Sequence, residues 1–306
     1  MSINTLEMAK IFQAKLDQQV AIGATSAWME ANAQNVKYNG GDTVRMPEIS
    51  TTGLANYDRD KGFNQGAVTL KYREYTLTQD RGRTFHLDRM DVDESNFIAN
   101  AGNVMGTFQR DWVIPEIDSY RYSRIAALAK AEGRAQEGYT LDAGTILEKL
   151  DEDITNIQDV AGENVPLVII MSTKSRRILN DAKGIERYIK VDEFNSGAVK
   201  NKVNTFNDVP VLGVPSARMK TAYIFNDGTT AEQKNGGFKP DTDAKDINWI
   251  IIPRNVPIAI SKTDLPRIFE PSQNLMADAW KIDYRKFHDL WIPVNQMPKL
   301  WVNIGA

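Results

Sequence analysis

The only imidazole groups of the 306-residue chain belong to His86 and His288, so any histidine-based catalytic or metal site must use one of them. Neither histidine stands in the H-E-x-x-H pattern of helical zinc sites. The chain has no cysteine, which removes thiolate metal sites, disulfides and cysteine nucleophiles from consideration. A histidine among aromatic and charged residues usually serves as a hydrogen-bonded structural side chain. We therefore predict that both histidines are structural.

Charged side chains that could handle phosphate or protons occur in three further places, and each has a simpler interpretation. The basic cluster at 174–177 follows an apolar run at 166–171, but no glycine-rich phosphate loop lies between them. Residues 91–95 resemble the start of a calcium loop but lack the glycine and glutamate that it requires, and helix capping explains them. The acids at 151–153 fit a solvated helix face. The sequence thus predicts no catalytic, cofactor-binding or metal-binding residue.

The composition argues against classes of protein that depend on strong charge or on a membrane anchor. The chain has 37 basic and 40 acidic residues, and the formal net charge of -3 excludes a strongly basic nucleic-acid-binding domain or a polybasic membrane binder. Hydrophobic residues make up 42% of the chain, which suffices for a core and leaves polar length to spare. The longest apolar runs, at 167–171 and 249–252, are far shorter than the roughly 18 residues of a membrane span.

Residues 40–86 are predicted to form a long β-hairpin with a polar tip. Apolar and polar residues alternate at 68–72 and again at 75–78, as they do in half-buried strands. The stretch 50–66 between the two strands is rich in Gly, Asn, Asp and Thr. An isolated two-stranded hairpin is only marginally stable in water, and this one has too few apolar residues for a core of its own. It therefore needs a partner surface, on the rest of the chain or on a neighbouring subunit.

Apolar residues at helical spacing predict an N-terminal helix at 4–33 and a long helix at 91–133. Gly23 is a possible interruption of the first helix. Pro115 lies inside the second helix and is expected to kink or divide it, and Gly133 is expected to end it. At 1.5 Å per residue the long helix would extend about 60 Å, which indicates an elongated body.

Residues 139–255 are predicted to form an α/β unit, and residues 256–306 a strand-rich segment. The unit would contain helices at 146–162 and 173–182, and its polar stretch at 226–246 is predicted to be an exposed loop. The predicted strands in the two segments are 166–171, 209–212, 222–225, 247–252, 257–261, 267–270, 280–284, 290–294 and 300–304.

The order of these elements, together with five short phrases, resembles the major capsid proteins of tailed bacteriophages, whose fold also occurs in encapsulin compartments. The resemblance covers nearly the whole chain, and its weight rests on the phrases standing in the right order. The phrases are LDRMDVDE at 87–94, VIPEID at 113–118, VPVLGVP at 209–215, RIFEP at 267–271 and YRKFHD at 284–289.

The resemblance implies an α+β phage major-capsid fold without enzymatic activity and without a cofactor. Its implied divisions are an N-terminal arm at 1–39, an extended hairpin loop at 40–88, a peripheral domain with a spine helix at 89–138, an inserted α/β axial domain at 139–255, and further peripheral strands at 256–306.

The implied partners are copies of the same chain, arranged as hexamers and pentamers of an icosahedral virion capsid. Such a shell would assemble in the host cytoplasm and would touch its packaged double-stranded DNA without sequence specificity. A portal, decoration proteins and a scaffolding protein are further implied partners, and we expect any scaffold to be a separate protein. No membrane is implied.

The same resemblance assigns intersubunit contacts to the hairpin and to the segment that follows it, and an axial position to the loop at 226–246. The residues expected at intersubunit contacts are Asn56, Tyr57, Asp58, Arg59, Lys61, Phe63, Arg81 and Arg83. The residues expected in the axial loop are Lys234, Lys239 and Asp241.

Two alternatives remain open on the sequence alone. An encapsulin-like compartment shell would use the same fold to enclose protein cargo, and the sequence does not locate a cargo-docking groove. A nucleotide-using α/β enzyme built on residues 139–255 would need phosphate-binding groups, and the missing phosphate loop counts against it.

Overall fold

The computed structural model describes residues 20, 23–35, 37–38, 42–60, 62–88, 97–185, 189–196, 199–269, 271–274 and 277–306. Within these residues the chain has a mixed α+β architecture with two larger sheets, one long helix and a projecting hairpin. The acids at 91–95, Lys61 and most of the helix predicted at 4–33 lie outside the described residues.

A seven-stranded mixed sheet, here called the central sheet, contains the most deeply buried strands. The strand at 167–172 is buried at every position, which matches its unbroken apolar sequence. In spatial order the strands are β5 (Ala135–Tyr139), β15 (Trp301–Gly305), β12 (Ile247–Pro253), β6 (Leu167–Ser172), β9 (Val209–Val214), β8 (Val199–Phe206) and β7 (Ile189–Ser196).

Neighbouring residues of a strand point to opposite sides of its sheet. Both sides of the central sheet are covered by other elements. On one side Ile169 and Ile251 pack with helices α3 (Ile146–Ala161) and α4 (Thr173–Asp181). On the other side Ile170 and its neighbours pack against the long helix and the 3-10 helix at Ala27–Asn35. The central sheet therefore shares one core with the long helix, rather than forming a separate unit.

The long helix runs without a break from Phe97 to Ala131, roughly 50 Å at 1.5 Å per residue. It consists of α1 (Phe97–Phe108), a π-helical turn at Gln109–Val113, and α2 (Ile114–Ala131). Of the two outcomes expected at Pro115, a kink or a division, division is contradicted. Proline lacks a backbone N–H, and it lies in the first turn after the π-helical segment, where the hydrogen-bond pattern already changes. The helix ends as predicted, with Gly133 at a φ of +66°.

A three-stranded antiparallel sheet, here called the outer sheet, packs against the middle of the long helix. Its order is β13 (Ile258–Phe269), β14 (Ala279–Trp291) and β4 (Gln79–Asp88), with β14 in the centre. The sequence predicted two short strands in place of β13 and two in place of β14. Each is one strand, because antiparallel pairing continues past the charged residues that break the apolar pattern, of which Lys286 and Asp289 in β14 are themselves buried.

The hairpin consists of β2 (Thr43–Thr51) and β3 (Val68–Thr76), and the two-residue strand β1 (Lys37–Tyr38) pairs with the base of β2. The hairpin therefore ends at Thr76. The implied division at 40–88 also included β4, which instead belongs to the outer sheet through its pairing with β14.

One further boundary differs from the sequence interpretation, and two strands were not predicted. Strand β15 was assigned to the peripheral segment 256–306, but it pairs with β12 and β5 in the central sheet. The chain thus returns to the central sheet at its end, a non-local pairing that no local pattern reveals. Strands β7 and β8 were not predicted, because their sequences are too polar to show clear alternation.

Candidate intersubunit surface

The base of the hairpin, residues 43–46 and 73–76, is anchored on the chain's own core. Val44 and Met46 are buried with Trp291 and other apolar residues of β13 and β14, and Tyr75 packs against the same cluster. The Tyr75 and Trp291 ring centroids lie 5.8 Å apart. One face of the two strands is therefore held by the outer sheet.

A buried carboxylate fixes the junction where the hairpin leads into β4. Asp289 is fully buried and accepts hydrogen bonds from the Thr78 backbone N–H at 3.0 Å and from the Thr78 hydroxyl at 2.8 Å. The Tyr120 hydroxyl of α2 donates to the other carboxylate oxygen at 2.6 Å. Burial, reinforced by the hydrogen bond to Asp289, raises the pKa of Tyr120 to about 12, so the phenol stays protonated and donates. This cluster ties the hairpin to the long helix.

A second buried carboxylate ties the segment before the hairpin to the same helix. The α-helical segment around Gly23 does not continue to residue 33 as predicted. The backbone N–H groups and hydroxyls of Thr25 and Ser26 all donate to Asp118, at 2.6 to 3.1 Å. Arg218 adds an ion pair to Asp118 at 3.0 Å. The turn at these residues is thus fixed by α2, and the chain resumes as a 3-10 helix.

The buried side chain of Arg121 on α2 binds the 3-10 helix at Ala27–Asn35. Its guanidinium donates to Glu30 and, at 3.1 Å, to the Ser261 hydroxyl. Burial alone would raise the pKa of Glu30, but the charges of Arg121 and Lys286 and the hydrogen bonds from Arg121 and Ser261 outweigh it and lower that pKa to about 2. Charged residues inside the apolar stripe of a predicted helix were the only sequence signal of this network.

The outer half of the hairpin, residues 47–51 and 68–72, presents two different faces to solvent. Directly opposed residues of an antiparallel pair share a face. The pairs Ile49–Leu70, Pro47–Tyr72 and Thr51–Val68 therefore lie on one face, here called the apolar face. The pairs Glu48–Lys71 and Ser50–Thr69 lie on the other, polar face, which continues the buried face of the base. The apolar face is thus on the opposite side from the anchored one.

The described part of the chain concentrates its exposed large hydrophobic side chains in this hairpin. Leu70 is 54% exposed and Val68 is 73% exposed, far above the values of ordinary core positions. Such a contiguous exposed group usually marks an interaction surface. The exposed large hydrophobic side chains between residues 49 and 72 are Ile49, Leu54, Tyr57, Phe63, Val68, Leu70 and Tyr72.

The tip of the hairpin, residues 52–67, is a small ordered structure rather than an extended loop. Asp58 and Gly62 exchange two backbone hydrogen bonds, and Gly62 has a φ of +83° that favours glycine. The Tyr57 and Phe63 rings meet edge to face with centroids 4.9 Å apart. Phe63 is 89% exposed. The tip thus holds an aromatic pair in place, and both rings remain largely exposed.

The structure brings some of the sequence-predicted contact residues together and separates others. Asn56, Tyr57, Asp58, Arg59 and Phe63 all lie at the tip and are exposed or partly exposed. Arg81 and Arg83 lie instead on β4 in the outer sheet, beyond the hairpin base.

Arg81 is engaged inside its own chain, and its expected intersubunit contact stays a prediction. Its guanidinium pairs with Glu116 of α2 at 2.7 Å and donates to the backbone oxygens of Asn226 and Gly237 at 2.8 and 3.1 Å. Arg83 is exposed, and its guanidinium lies 3.5 Å from the Lys234 carbonyl oxygen.

These contacts also change the interpretation of residues 226–246. The segment contains strand β11 (Phe238–Pro240), which pairs with β10 (Tyr223–Phe225), and is therefore not one exposed loop. It packs against β4 and against Trp112 of the π-helical turn. Lys234, Lys239 and Asp241 thus belong to a segment held on the outer sheet and long helix, and their expected axial position stays a prediction.

Two of the side chains that the sequence offered for chemistry, His288 and Asp153, are buried in the fold. His288 is buried edge-on to Tyr120, and burial, with the nearby charges of Arg121 and Lys286, holds its pKa well below the ordinary value. The prediction of a solvated helix face at 151–153 is wrong for Asp153, which is fully buried and accepts a hydrogen bond from the Trp249 indole at 2.9 Å. Among the described residues, no group of three or more His, Cys, Asp or Glu side chains is arranged to hold a metal ion.

The helices of the described ranges were also compared with the requirements of a bilayer. None of them combines the length and the apolar character that a transmembrane helix needs.

Comparison with known proteins gives matches to solved structures alone. No family model matches the chain, and no curated protein matches it. A chain in the asymmetric unit of the mature capsid of bacteriophage PhiM1 matches with a TM-score of 0.59 at 11% identity, covering 88% of this chain and 83% of the other.

Two further matches come from other phages. A chain from Gordonia phage Cozz has a TM-score of 0.55 at 13% identity, with 87% of this chain and 81% of the other covered. A chain from Microbacterium phage Oxtober96 has a TM-score of 0.54 at 11% identity, with 90% and 91% covered. At such identities the likeness concerns the fold, and it extends over most of each chain.

Proposed function

The chain has the phage major-capsid fold, and we propose that it is a structural subunit that self-assembles into a closed shell. In this proposal hexamers and pentamers of the chain form an icosahedral virion capsid around double-stranded DNA. Assembly takes place in the host cytoplasm, with a portal, decoration proteins and a separate scaffolding protein as possible further components. The fold supports the proposal, and the geometry of the hairpin carries it.

The observation that most strongly supports the proposal is the apolar face on the outer half of the hairpin. Ile49, Leu70 and Val68 are exposed on the side opposite to the anchored base, so the chain's own core does not cover them. Covering about 1,000 Å² of apolar surface yields a gross gain on the order of 25 kcal/mol, most of which association and ordering costs offset. A surface of this kind suits a subunit whose hairpin packs on a neighbour.

The charge balance supports the proposed DNA-filled interior. A shell must enclose DNA without gripping it, because strong neutralisation of phosphates would hinder packing and release. The net charge of -3 is compatible with that requirement. We propose an axial role for the central sheet, including β15, and a peripheral role for the long helix and outer sheet.

Electron microscopy of the expressed protein, with any neighbouring scaffold gene co-expressed, tests the proposal directly. We expect closed particles in which the outer half and the tip of the hairpin, residues 47–72, lie on adjacent subunits. Uniform monomers with the hairpin folded onto their own chain would overturn the proposal. Particles that purify with protein cargo and without nucleic acid would instead identify a compartment shell, which uses the same fold.

A variant with a shortened hairpin tests the same proposal. Removing residues 56–66 takes away the tip and leaves the contacts of the base intact. We expect loss of particles without a change in the unfolding transition of the remaining subunit. A lowered unfolding transition would show that the tip serves the chain's own fold.

Limited proteolysis compares the free and the assembled states. Because residues 50–60 and 63–66 are exposed in the single chain, we expect cleavage between residues 50 and 66 in free capsomers and protection in particles. Equal cleavage in both states would contradict an intersubunit position of the hairpin.

A further inference from the structure

We infer that the cleft between β4, the π-helical turn and residues 226–237 is the binding site for the hairpin tip of a second copy of the chain. The inference rests on the proposed function, and it names the surface on the neighbour that the tip contacts. The cleft has a volume of about 420 Å³, within the range of pockets that enclose compact groups.

The walls of the cleft are held by interactions inside the chain. Arg81 joins Glu116 of α2 to the carbonyl oxygens of Asn226 and Gly237, so three elements are fixed relative to one another. Trp112 packs directly on Gly237, where a Cβ atom would stand 2.7 Å from the indole ring. The cleft is therefore preformed, which reduces the entropy lost when a partner enters it.

The lining of the cleft is suited to aromatic side chains. It includes Phe85, Phe108, Trp112 and Tyr284, together with the guanidinium of Arg83. Trp112 is 51% exposed although it stands beside these aromatic residues. A half-exposed tryptophan at a cleft is typical of interface anchors, because its ring contributes a large apolar area and an N–H group.

The side chains of the tip are chemically complementary to the cleft. Tyr57 and Phe63 form a preformed aromatic pair at its outer end, and each aromatic side chain can bury about 150–250 Å². The Arg83 guanidinium can lie over one of these rings as a cation over an aromatic face. Asp60, adjacent to the pair, provides an opposite charge for Arg83.

The tip that enters the cleft must come from another copy. The cleft is lined by residues 80–83, only a few positions after the hairpin base. Nine residues of β3 at about 3.3 Å each place the tip roughly 30 Å away from that base. Tip and cleft are therefore separate surfaces on one chain, and their contact is head to tail. Contacts of this type close into rings when the rotation between subunits permits.

Engineered cysteines test the contact, because the chain contains no cysteine of its own. The test variant combines Phe63→Cys at the tip with Arg83→Cys in the cleft. The control combines Phe63→Cys with Val160→Cys, an exposed position on α3. Particles of each are oxidised mildly and separated under non-reducing conditions. A disulfide requires Cβ atoms about 3.5–4.5 Å apart, so only neighbouring positions link.

We expect a ladder of covalent oligomers in the test variant, at least tenfold more abundant than in the control. Particles that form but give no ladder above the control would overturn the inference and leave the proposed function standing. If the chain forms no particle at all, the proposed function and this inference fail together.

Hydrogen–deuterium exchange on the unmodified protein gives a second measurement that does not depend on the cysteine variants. We expect residues 56–63 and residues 108–113 to gain protection together when particles assemble. Protection of the tip without protection of the cleft would show that the tip docks elsewhere and would overturn the inference.

Discussion

The base and the outer half of the hairpin consist of the same two strands, yet they turn opposite faces toward apolar surroundings. At the base, Val44 and Met46 are buried on the outer sheet, and the exposed side carries the Arg45–Glu74 ion pair. In the outer half, Ile49 and its partner Leu70 are exposed on the side that carries Arg45 and Glu74 at the base. The apolar pattern therefore changes face within a few residues.

This change of face separates two sources of stability. The base follows the usual rule that apolar residues face the chain's own core, so its contacts contribute to folding of the single subunit. The outer half places its apolar residues where no described residue covers them, so their burial contributes only once a neighbour is present. Substitutions in the two regions should therefore affect different measurements.

The largest expected effect is on the stability of the single subunit, from Asp289→Ala at the base. The change removes the carboxylate that accepts from both groups of Thr78, from the Leu290 backbone N–H and from the buried Tyr120 hydroxyl, which is left with the Thr78 hydroxyl at 3.2 Å. Because each such loss costs about 1–3 kcal/mol, we expect the free energy of unfolding to fall by about 3 kcal/mol or more. Urea unfolding of the free subunit measures it.

The control for that experiment is Asp80→Ala, which removes an acid from the same sheet at an exposed position. Asp80 pairs with Arg285 on the surface, and pairs of this kind contribute little to stability. A loss of similar size in both variants would show that the buried cluster has no special role in holding the hairpin.

The second prediction concerns assembly rather than folding. Ile49→Ser combined with Leu70→Ser makes the apolar face polar, and exposed positions of this kind change subunit stability by less than about 0.5 kcal/mol. We expect particle yield to fall at least tenfold, because the proposed contact loses its apolar area at every repeat of the shell. Sedimentation of assembled material measures the yield.

The matched control lies on the polar face of the same strand pair. Ser50→Asn combined with Thr69→Asn changes two opposed residues that are also exposed, and we expect normal particle yield. If both double variants lowered the yield equally, the docking surface would not be confined to the apolar face.

The sequence was sufficient for elements that depend on local patterns. Alternation located the hairpin, and helical spacing located the long helix up to Gly133. It was insufficient where distant residues decide the structure. The pairing of β15 with β12 and the capture of Arg81 by Glu116 join positions far apart in the chain, and neither has a local signature.

The candidate surface was predictable to a similar degree. A polar tip between alternating strands indicated a hairpin in need of a partner, and the tip residues around Tyr57 and Phe63 are indeed exposed. The change of face was not predicted, because it depends on the cross-strand register. The buried acids Asp118 and Asp289 were also missed, since a charged residue on a helix or strand is usually solvated.

The third prediction is that acid lowers the stability contributed by the Glu30–Arg121 ion pair and leaves the apolar face of the hairpin unaffected. The pKa of Glu30 is lowered from 4.5 to about 2, so its ionised form stabilises the folded state above pH 4.5. That stabilisation is lost as the pH falls from about 4.5 toward 2, because the carboxylate that binds Arg121 becomes protonated. The Glu30→Gln variant cannot lose it, so its stability curve should be flatter in this window.

The measurement is the unfolding midpoint at several pH values between 2 and 5. We expect the difference between the native chain and Glu30→Gln to shrink as the pH falls. The double variant at Ile49 and Leu70 should keep the pH profile of the native chain. Parallel curves for Glu30→Gln and the native chain would show that the ion pair with Arg121 does not control the anchored region.

The smallest effect is expected from the ion pair on the exposed side of the base. Arg45 and Glu74 approach to 2.7 Å but their side chains remain 63% and 56% exposed, so solvent and salt weaken the attraction. A double-mutant cycle with Arg45→Ala and Glu74→Ala should give a coupling of about 0.2–1 kcal/mol in subunit stability, decreasing in high salt. A coupling well above this range would mean that the exposed side of the base also holds the hairpin in place. The division between an anchored face and a docking face would then begin further out along the strands.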